Sequence, residues 1–177
     1  MLFRSSIDAV MNHEADVAIA NPSAALMLAH RGHAPYGKPL PVRTIAVIPS
    51  LDQMVFAVKS DTGIRTFEEI AQKKAPLRVG LRGDPRHGLN TIMDHITAAA
   101  GFTFDDLKAW GGDPRRFGPL PWPGGEKLKA VASGEINAIF DEASDIWIEE
   151  ALDLGMTILP LAESTVAKLE EIGRAHV

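Results

Sequence analysis

A glycine-rich turn at residues 80–88 carries the side chains whose types best suit ligand chemistry. It separates a short apolar run from a stretch with helical periodicity, so it leads into a helix. Backbone amides at the start of a helix, together with guanidinium groups, bind carboxylates and phosphates. We therefore predict an anion site here, with a solvated basic turn as the alternative. The side chains predicted to form this site are Arg82, Arg86, His87, Asn90 and Thr91.

Polar residues also follow two other apolar runs. Asn21 and Ser23 come directly after residues 17–20, and Asp141 follows a later run of the same kind. Ligands of open α/β sheets bind at the carboxyl ends of the strands, so these residues are predicted to form the rims of one cleft. Trp110 and Trp122 lie in loops rich in Gly and Pro, and one or the other is expected to cover the ligand.

The predicted ligand is a small organic anion. Arg82 and Arg86 would hold its carboxylate through charge-assisted hydrogen bonds. Asp84 and Asp141 belong to the same predicted cleft and could neutralise the two arginines. In that case a zwitterion, such as an amino acid, is the expected ligand.

The sequence offers little support for an enzyme. His30 and His33 have the spacing of a metal pair, but no third ligand is near, and no serine lies in a Gly-x-Ser-x-Gly motif. Asp141, Glu142 and Asp145 could form an acid/base group, yet their spacing is more typical of a helix cap and a solvated face. We therefore expect a binding protein that is not an enzyme and needs no cofactor and no metal.

Composition excludes several classes of protein. Of the 177 residues, 46% are hydrophobic and 23% are charged, as in an ordinary globular protein. The sequence has no cysteine, which excludes disulfides, thiolate metal sites and cysteine nucleophiles. The net charge of -5 provides no basic excess, so nucleic acid is not an expected partner.

Strand and helix patterns alternate along the chain. This alternation predicts an α/β protein with a parallel sheet. Thr66 and Glu69 have the spacing of a capping box, which predicts a helix start. Strands are predicted at 17–20, 42–48, 54–58, 77–80, 136–140 and 157–161, and helices at 7–15, 24–30, 67–73, 89–100, 103–107, 126–133 and 144–154.

The two ends of the sequence resemble sequencing artefacts. Residues 2–5 and 171–177 can be back-translated into DNA strings that contain reverse complements of each other and match a common adapter. We therefore expect residues 1–5 and 172–177 to derive from an assembled read and exclude them from the fold interpretation.

Six short motifs, taken in order, resemble the TAXI family of solute-binding proteins, which are the extracytoplasmic receptors of TRAP transporters. Together they span nearly the whole chain between its ends. The motifs are EADVAI at 14–19, GKPLP at 37–41, VKSDTGI at 58–64, RVG at 78–80, AAGFTFDDL at 99–107 and GEINA at 134–138.

The resemblance implies a type 2 periplasmic binding protein fold, in which two α/β lobes form a clamshell around a ligand. Residues 6–58 would then be a partial first lobe with the crossing strands, 59–161 the second lobe, and 162–171 the start of the return to the first lobe. The family's first strand and part of its first lobe are missing. The protein would be periplasmic, its signal peptide lost with the missing start, and its partners would be the membrane subunits of a TRAP transporter.

Two considerations leave the function open. The turn after Val79 is usually rich in Ser, Gly and Thr in the family, whereas this chain has two arginines, an aspartate and a histidine, so the family's ligand is not transferable. The same clamshell also serves as the ligand-sensing regulatory domain of cytoplasmic transcription factors, which is the alternative function. The upstream coding sequence distinguishes the two, because a signal peptide favours the receptor and a helix-turn-helix favours the regulator.

Overall fold

One mixed sheet of five strands organises the chain. The computed structural model describes residues 6–20, 23–33, 36–48, 53–85, 87–118, 121–143 and 145–175. Within them the strands lie in the order β3-β2-β4-β1-β5. The strands are β1 (Gln53–Lys59), β2 (Arg78–Arg82), β3 (Asp113–Phe117), β4 (Ala138–Ala143) and β5 (Met156–Ile158).

Eight α-helices accompany these strands in the described residues. Two precede the sheet, and the other six follow β1 in the chain. None of them is long and apolar enough to span a membrane. The helices are α1 (Ser6–Met11), α2 (Ser23–Arg31), α3 (Phe67–Gln72), α4 (Gly88–Ala99), α5 (Phe104–Ala109), α6 (Glu126–Ala132), α7 (Asp145–Asp153) and α8 (Glu163–Ala175).

The α/β class is as predicted, but the sheet is not wholly parallel. β2 pairs in parallel with both β3 and β4, as expected of strands joined by helical crossovers. β1 runs antiparallel to both of its neighbours, β4 and β5. β1 is the first strand in the chain, so it joins the sheet from the preceding segment and not through a crossover from another strand.

Helices pack on both faces of the sheet because successive strand residues point to opposite sides. In β1, Phe56 and Val58 contact the core under α3, α4 and α5, whereas Val55 and Ala57 contact the core under α6 and α7. The rings of Phe56 and Phe140, on neighbouring strands, stack with their centroids 5.0 Å apart. The sheet is therefore the middle of three layers.

The segment before β1 forms a smaller core of its own around Ile7, Ala29 and Val42. The strands predicted at 17–20 and 42–48 are wrong, because neither stretch pairs with a strand in the described part of the chain. Apart from Val42, their large apolar side chains are exposed, as shown by Ile19 at 79% and Val47 at 82%. A β-type sequence becomes a strand only where a partner satisfies its backbone groups.

Candidate functional site

β2, β3 and β4 are parallel, so their carboxyl ends meet at one edge of the sheet, which we call the carboxyl edge. Arg82 is the last residue of β2, and Asp141 lies near the end of β4. The Arg82 Nε donates a hydrogen bond to Asp141 Oδ1 at 3.0 Å, and its Nη2 donates to the same oxygen at 2.5 Å. Nη2 also donates to Glu142 Oε2 at 3.0 Å. Two of the residues predicted from the sequence are therefore in direct contact.

Lys127 of α6 completes this group of charges. Its Nζ donates to Asp141 Oδ2, and its side chain is 3% exposed. The lysine reaches the carboxylate over Gly80 of β2, where an added Cβ would lie 3.7 Å from Lys127 Cγ. Arg82, Lys127, Asp141 and Glu142 are here called the charged cluster.

Burial makes the partners of Asp141 necessary. Asp141 is fully buried, and an isolated buried carboxylate would be very costly, so it needs both of its cations. Burial also lowers the pKa of Lys127, an effect that Asp141 opposes and Arg82 reinforces. The sequence analysis missed Lys127, because a lysine on an amphipathic helix is more typical of a solvated face.

The turns that follow β2 and β3 are tied together. Gly83 N donates to the Gly118 carbonyl at 2.7 Å, and a Cβ on Gly83 would lie only 2.6 Å from that oxygen. Asn90 is buried, and its Nδ2 donates to the Asp84 carbonyl at 2.6 Å while its Oδ1 accepts from Arg116 Nη1 at 2.8 Å. Asn90 therefore positions the turn and does not present its amide to solvent.

His87 caps the amino end of α4. Its Nδ1 accepts a hydrogen bond from Leu89 N at 3.2 Å, which requires this nitrogen to be unprotonated. Burial, reinforced by Arg82, lowers the pKa of His87 below its usual value, although Glu142, Asp141 and Asp84 act in the opposite direction. α4 begins directly after His87, so the positive end of its helix dipole lies at the carboxyl edge.

The segment before β1 also reaches this edge. An added Cβ on Gly88, the first residue of α4, would lie 3.8 Å from Ala25 Cβ of α2. Ser23 is exposed at the start of α2, and Thr91 is half-buried in the first turn of α4. Of the remaining predicted site residues, Asn21 and Arg86 lie outside the described residues.

Trp110 lies elsewhere. It ends α5 and precedes β3, whose first residue pairs with Arg78 at the start of β2. This is the edge opposite the carboxyl edge, and there the Trp110 ring packs 6.4 Å from that of Phe102. The structure therefore does not bring Trp110 to the other predicted site residues. Trp122, between β3 and α6, is 44% exposed.

No group of three or more His, Cys, Asp or Glu side chains within the described ranges is arranged to hold a metal ion. The side chains described at the carboxyl edge interact through ion pairs and hydrogen bonds. A scan against models of known protein families finds no match for this chain, and a search of curated proteins finds none either.

Proposed function

We propose that the chain is an extracytoplasmic solute-binding receptor that captures a small organic anion or an amino acid and delivers it to the membrane subunits of a TRAP-type transporter. It acts as a binding protein and not as an enzyme. The observation that carries this proposal is the contact of Arg82 with Asp141 and Glu142 at the carboxyl ends of adjacent parallel strands. Open α/β sheets bind small ligands at this edge.

Two parts of the chain supply the binding cleft in this proposal. α2, from the segment with its own small core, packs against the start of α4 at the carboxyl edge. β1 runs from that segment into the sheet, between β4 and the edge strand β5, as a strand crossing between two lobes would. The proposed architecture is a clamshell of two lobes, which a ligand closes by binding the closed state more tightly.

The charges at the carboxyl edge favour a carboxylate on the ligand. Arg82 and Lys127 bring two positive charges to the single buried negative charge of Asp141. The amino end of α4 adds further positive potential. An amino acid carries the same carboxylate as a simple acid, so both classes of ligand fit this edge.

Calorimetric titration of Arg82→Ala against a panel of small acids and amino acids tests this function. Loss of a buried charge-assisted hydrogen bond is expected to weaken binding by about 1.5–3 kcal/mol. Arg78→Ala is the matched control, because Arg78 lies at the other end of the same strand and donates to the carbonyls of Glu135 and Gly134. Equal binding by Arg82→Ala and wild type, or no binding by any folded form, would contradict the proposal.

The coding sequence upstream supplies an independent test of the receptor role. A signal peptide followed by this chain supports an extracytoplasmic receptor. A helix-turn-helix in the same position would overturn the transport role in favour of a ligand-sensing regulator.

A further inference from the structure

The charged cluster becomes more exposed from its centre outward. The side chain of Asp141 is fully buried, and those of Lys127, Arg82 and Glu142 are 3%, 10% and 17% exposed. The more exposed side chains of the cluster have more room to change their rotamers. Asp141 is held by two cations in the interior, whereas Glu142 contacts Arg82 from the solvent side.

The three inner members of the cluster do not balance in charge. Arg82 and Lys127 carry two positive charges, and Asp141 carries one negative charge. Buried cations are stabilised by nearby carboxylates. Glu142 provides one to Arg82, because its Oε2 accepts from Arg82 Nη2 at 3.0 Å.

We propose that the Glu142 carboxylate occupies the place on Arg82 that the carboxylate of a ligand takes, so that Glu142 is a built-in competitor for the site. This inference rests on the proposed function and identifies the residue that regulates it. A ligand carboxylate displaces Glu142 from Arg82 Nη2, and the Glu142 side chain turns out into solvent. The inner three charges stay paired throughout the exchange.

The backbone at residue 142 permits this exchange without rearrangement of the strand. Glu142 N donates to Asp141 Oδ1 at 2.9 Å, and the Glu142 carbonyl accepts from Trp147 Nε1, also at 2.9 Å. The residue is further fixed by its pairing opposite Met54 in β1. Only side-chain torsions need to change, and such rotations are fast and inexpensive at a partly exposed position.

The competitor selects ligands by charge. A neutral amide cannot replace the negative charge that Glu142 provides to Arg82, so displacement of Glu142 by an amide deprives this arginine of that charge. A carboxylate replaces that charge one for one and also gains the charge-assisted hydrogen bond to Arg82. Glu142 therefore rejects neutral analogues and reduces the affinity for every acid.

Substitution of Glu142 by glutamine tests the proposal, because it removes the charge and keeps the shape. The probes are acetate, pyruvate, succinate and L-glutamate, with acetamide as the uncharged match for acetate. We expect Glu142→Gln to bind the acids that wild type binds roughly tenfold more tightly, which is the scale of one hydrogen bond to a charged group. Glu149→Gln is the control, since Glu149 is an exposed carboxylate of α7, and it should match wild type.

The signal of the Trp147 indole N–H provides a second measurement. The sequence has three tryptophans, so a proton–nitrogen correlation spectrum contains three indole signals, and a Trp147→Phe variant identifies the one from residue 147. This group donates to the backbone carbonyl of Glu142, so it lies beside the charge that moves when the Glu142 side chain is displaced. We expect an acid that wild type binds to shift its signal in wild type and to shift it less in Glu142→Gln.

The outcomes separate this inference from the function on which it rests. If wild type binds one of the acids and Glu142→Gln binds that acid equally or less tightly, Glu142 is not a competitor and only the inference fails. If wild type, Glu142→Gln and Glu149→Gln all fold and none binds any acid, the proposed function fails and the inference fails with it. Tighter binding of acids by Glu142→Gln, with acetamide bound by neither protein, supports both.

Discussion

Asp141 is the residue whose loss should cost the fold most. Asp141→Asn removes the carboxylate that two buried cations share, so Arg82 and Lys127 both lose this negative charge as a partner. Breaking a buried pair in this way costs about 3–5 kcal/mol of unfolding free energy. Chemical denaturation followed by circular dichroism measures the change.

Asp113→Asn is the control for this prediction. Asp113 also pairs with an arginine, Arg115, but both side chains are more than 40% exposed, and solvent screens such a pair. Asp113→Asn should therefore unfold at nearly the same denaturant concentration as wild type. Equal losses in the two variants would show that the buried position of Asp141 has no special role.

His87 should make stability depend on pH. Its pKa is lower in the folded protein than the usual 6.5, so the unfolded chain binds more protons between these two values. Stability is therefore full above pH 6.5 and falls as the pH drops below it. His87→Asn keeps a good helix cap without a titrating group and should show a smaller fall. Unfolding curves from pH 7.5 to pH 5 measure the difference.

The exposed His95 of α4 provides a reference for the pH dependence. His95→Asn makes the same substitution at an exposed position of the same helix without touching its cap, so it shows what the exchange of histidine for asparagine does by itself. If His87→Asn loses stability with falling pH as steeply as wild type does, the cap is not the source of the effect.

The sequence allowed part of the site to be predicted at the level of single residues. Arg82 and Asp141 were expected to meet because each ends an apolar run, and parallel strands end at one edge. Lys127 could not be found in this way, since its burial depends on where α6 crosses the sheet. Gly80 is no signal for it, because the first atom that an added Cβ would meet there is Ile136 Cδ1 at 2.9 Å.

At the scale of elements, α8 depends on a carboxylate from α3. Glu68 Oε1 accepts from Ala162 N at 3.1 Å and from the Thr165 hydroxyl, which satisfies groups at the start of α8. Burial raises the pKa of Glu68, but these hydrogen bonds outweigh it, so the net pKa lies below its usual value. Glu68→Ala should make amides of α8 exchange roughly tenfold faster, while the sheet is unaffected.

Hydrogen exchange of Thr165→Val shows whether the effect is local. This variant removes the hydroxyl and keeps the bond from Ala162, so it should speed exchange in the same helix by a smaller factor. An increase spread evenly over the molecule in Glu68→Ala would mean that Glu68 contributes to the global fold and does not act as a cap for α8.

Elements with local signals were predictable, and elements that need a distant partner were not. Thr66 caps α3 by accepting from Glu69 N, as expected, although Glu69 reaches back to the amide of Arg65 and not to that of Thr66. β3 was missed because its sequence, with Pro114 and two arginines, has low β propensity, and only pairing with β2 makes it a strand. The stretches at 17–20 and 42–48 show the opposite: their sequences favour strands, but no strand pairs with them in the described part of the chain.

At the scale of the molecule, the two parts of the chain should differ in stability. Residues 53–161 contain the sheet and two large cores, whereas residues 6–48 rely on a small core and expose apolar side chains. We predict that the sheet region is the more protected in hydrogen exchange. We also predict that the chain aggregates through the exposed apolar side chains at 17–20 and 42–48. A single sharp melt without aggregation, with equal protection in both parts, would contradict this.

The position of β1 also determines when the sheet can form. β1 is made first, yet its neighbours in the sheet are β4 and β5, so that Phe56 pairs with Phe140 and Ala57 with Ile158. Until β4 has left the ribosome, β1 has two unpaired edges and a strongly apolar sequence, and until β5 follows it still has one unpaired edge. Contacts between such distant residues slow folding, because the long intervening loop must close before they stabilise anything. The nascent chain therefore depends on β5, a strand of three residues, to protect the second edge of β1.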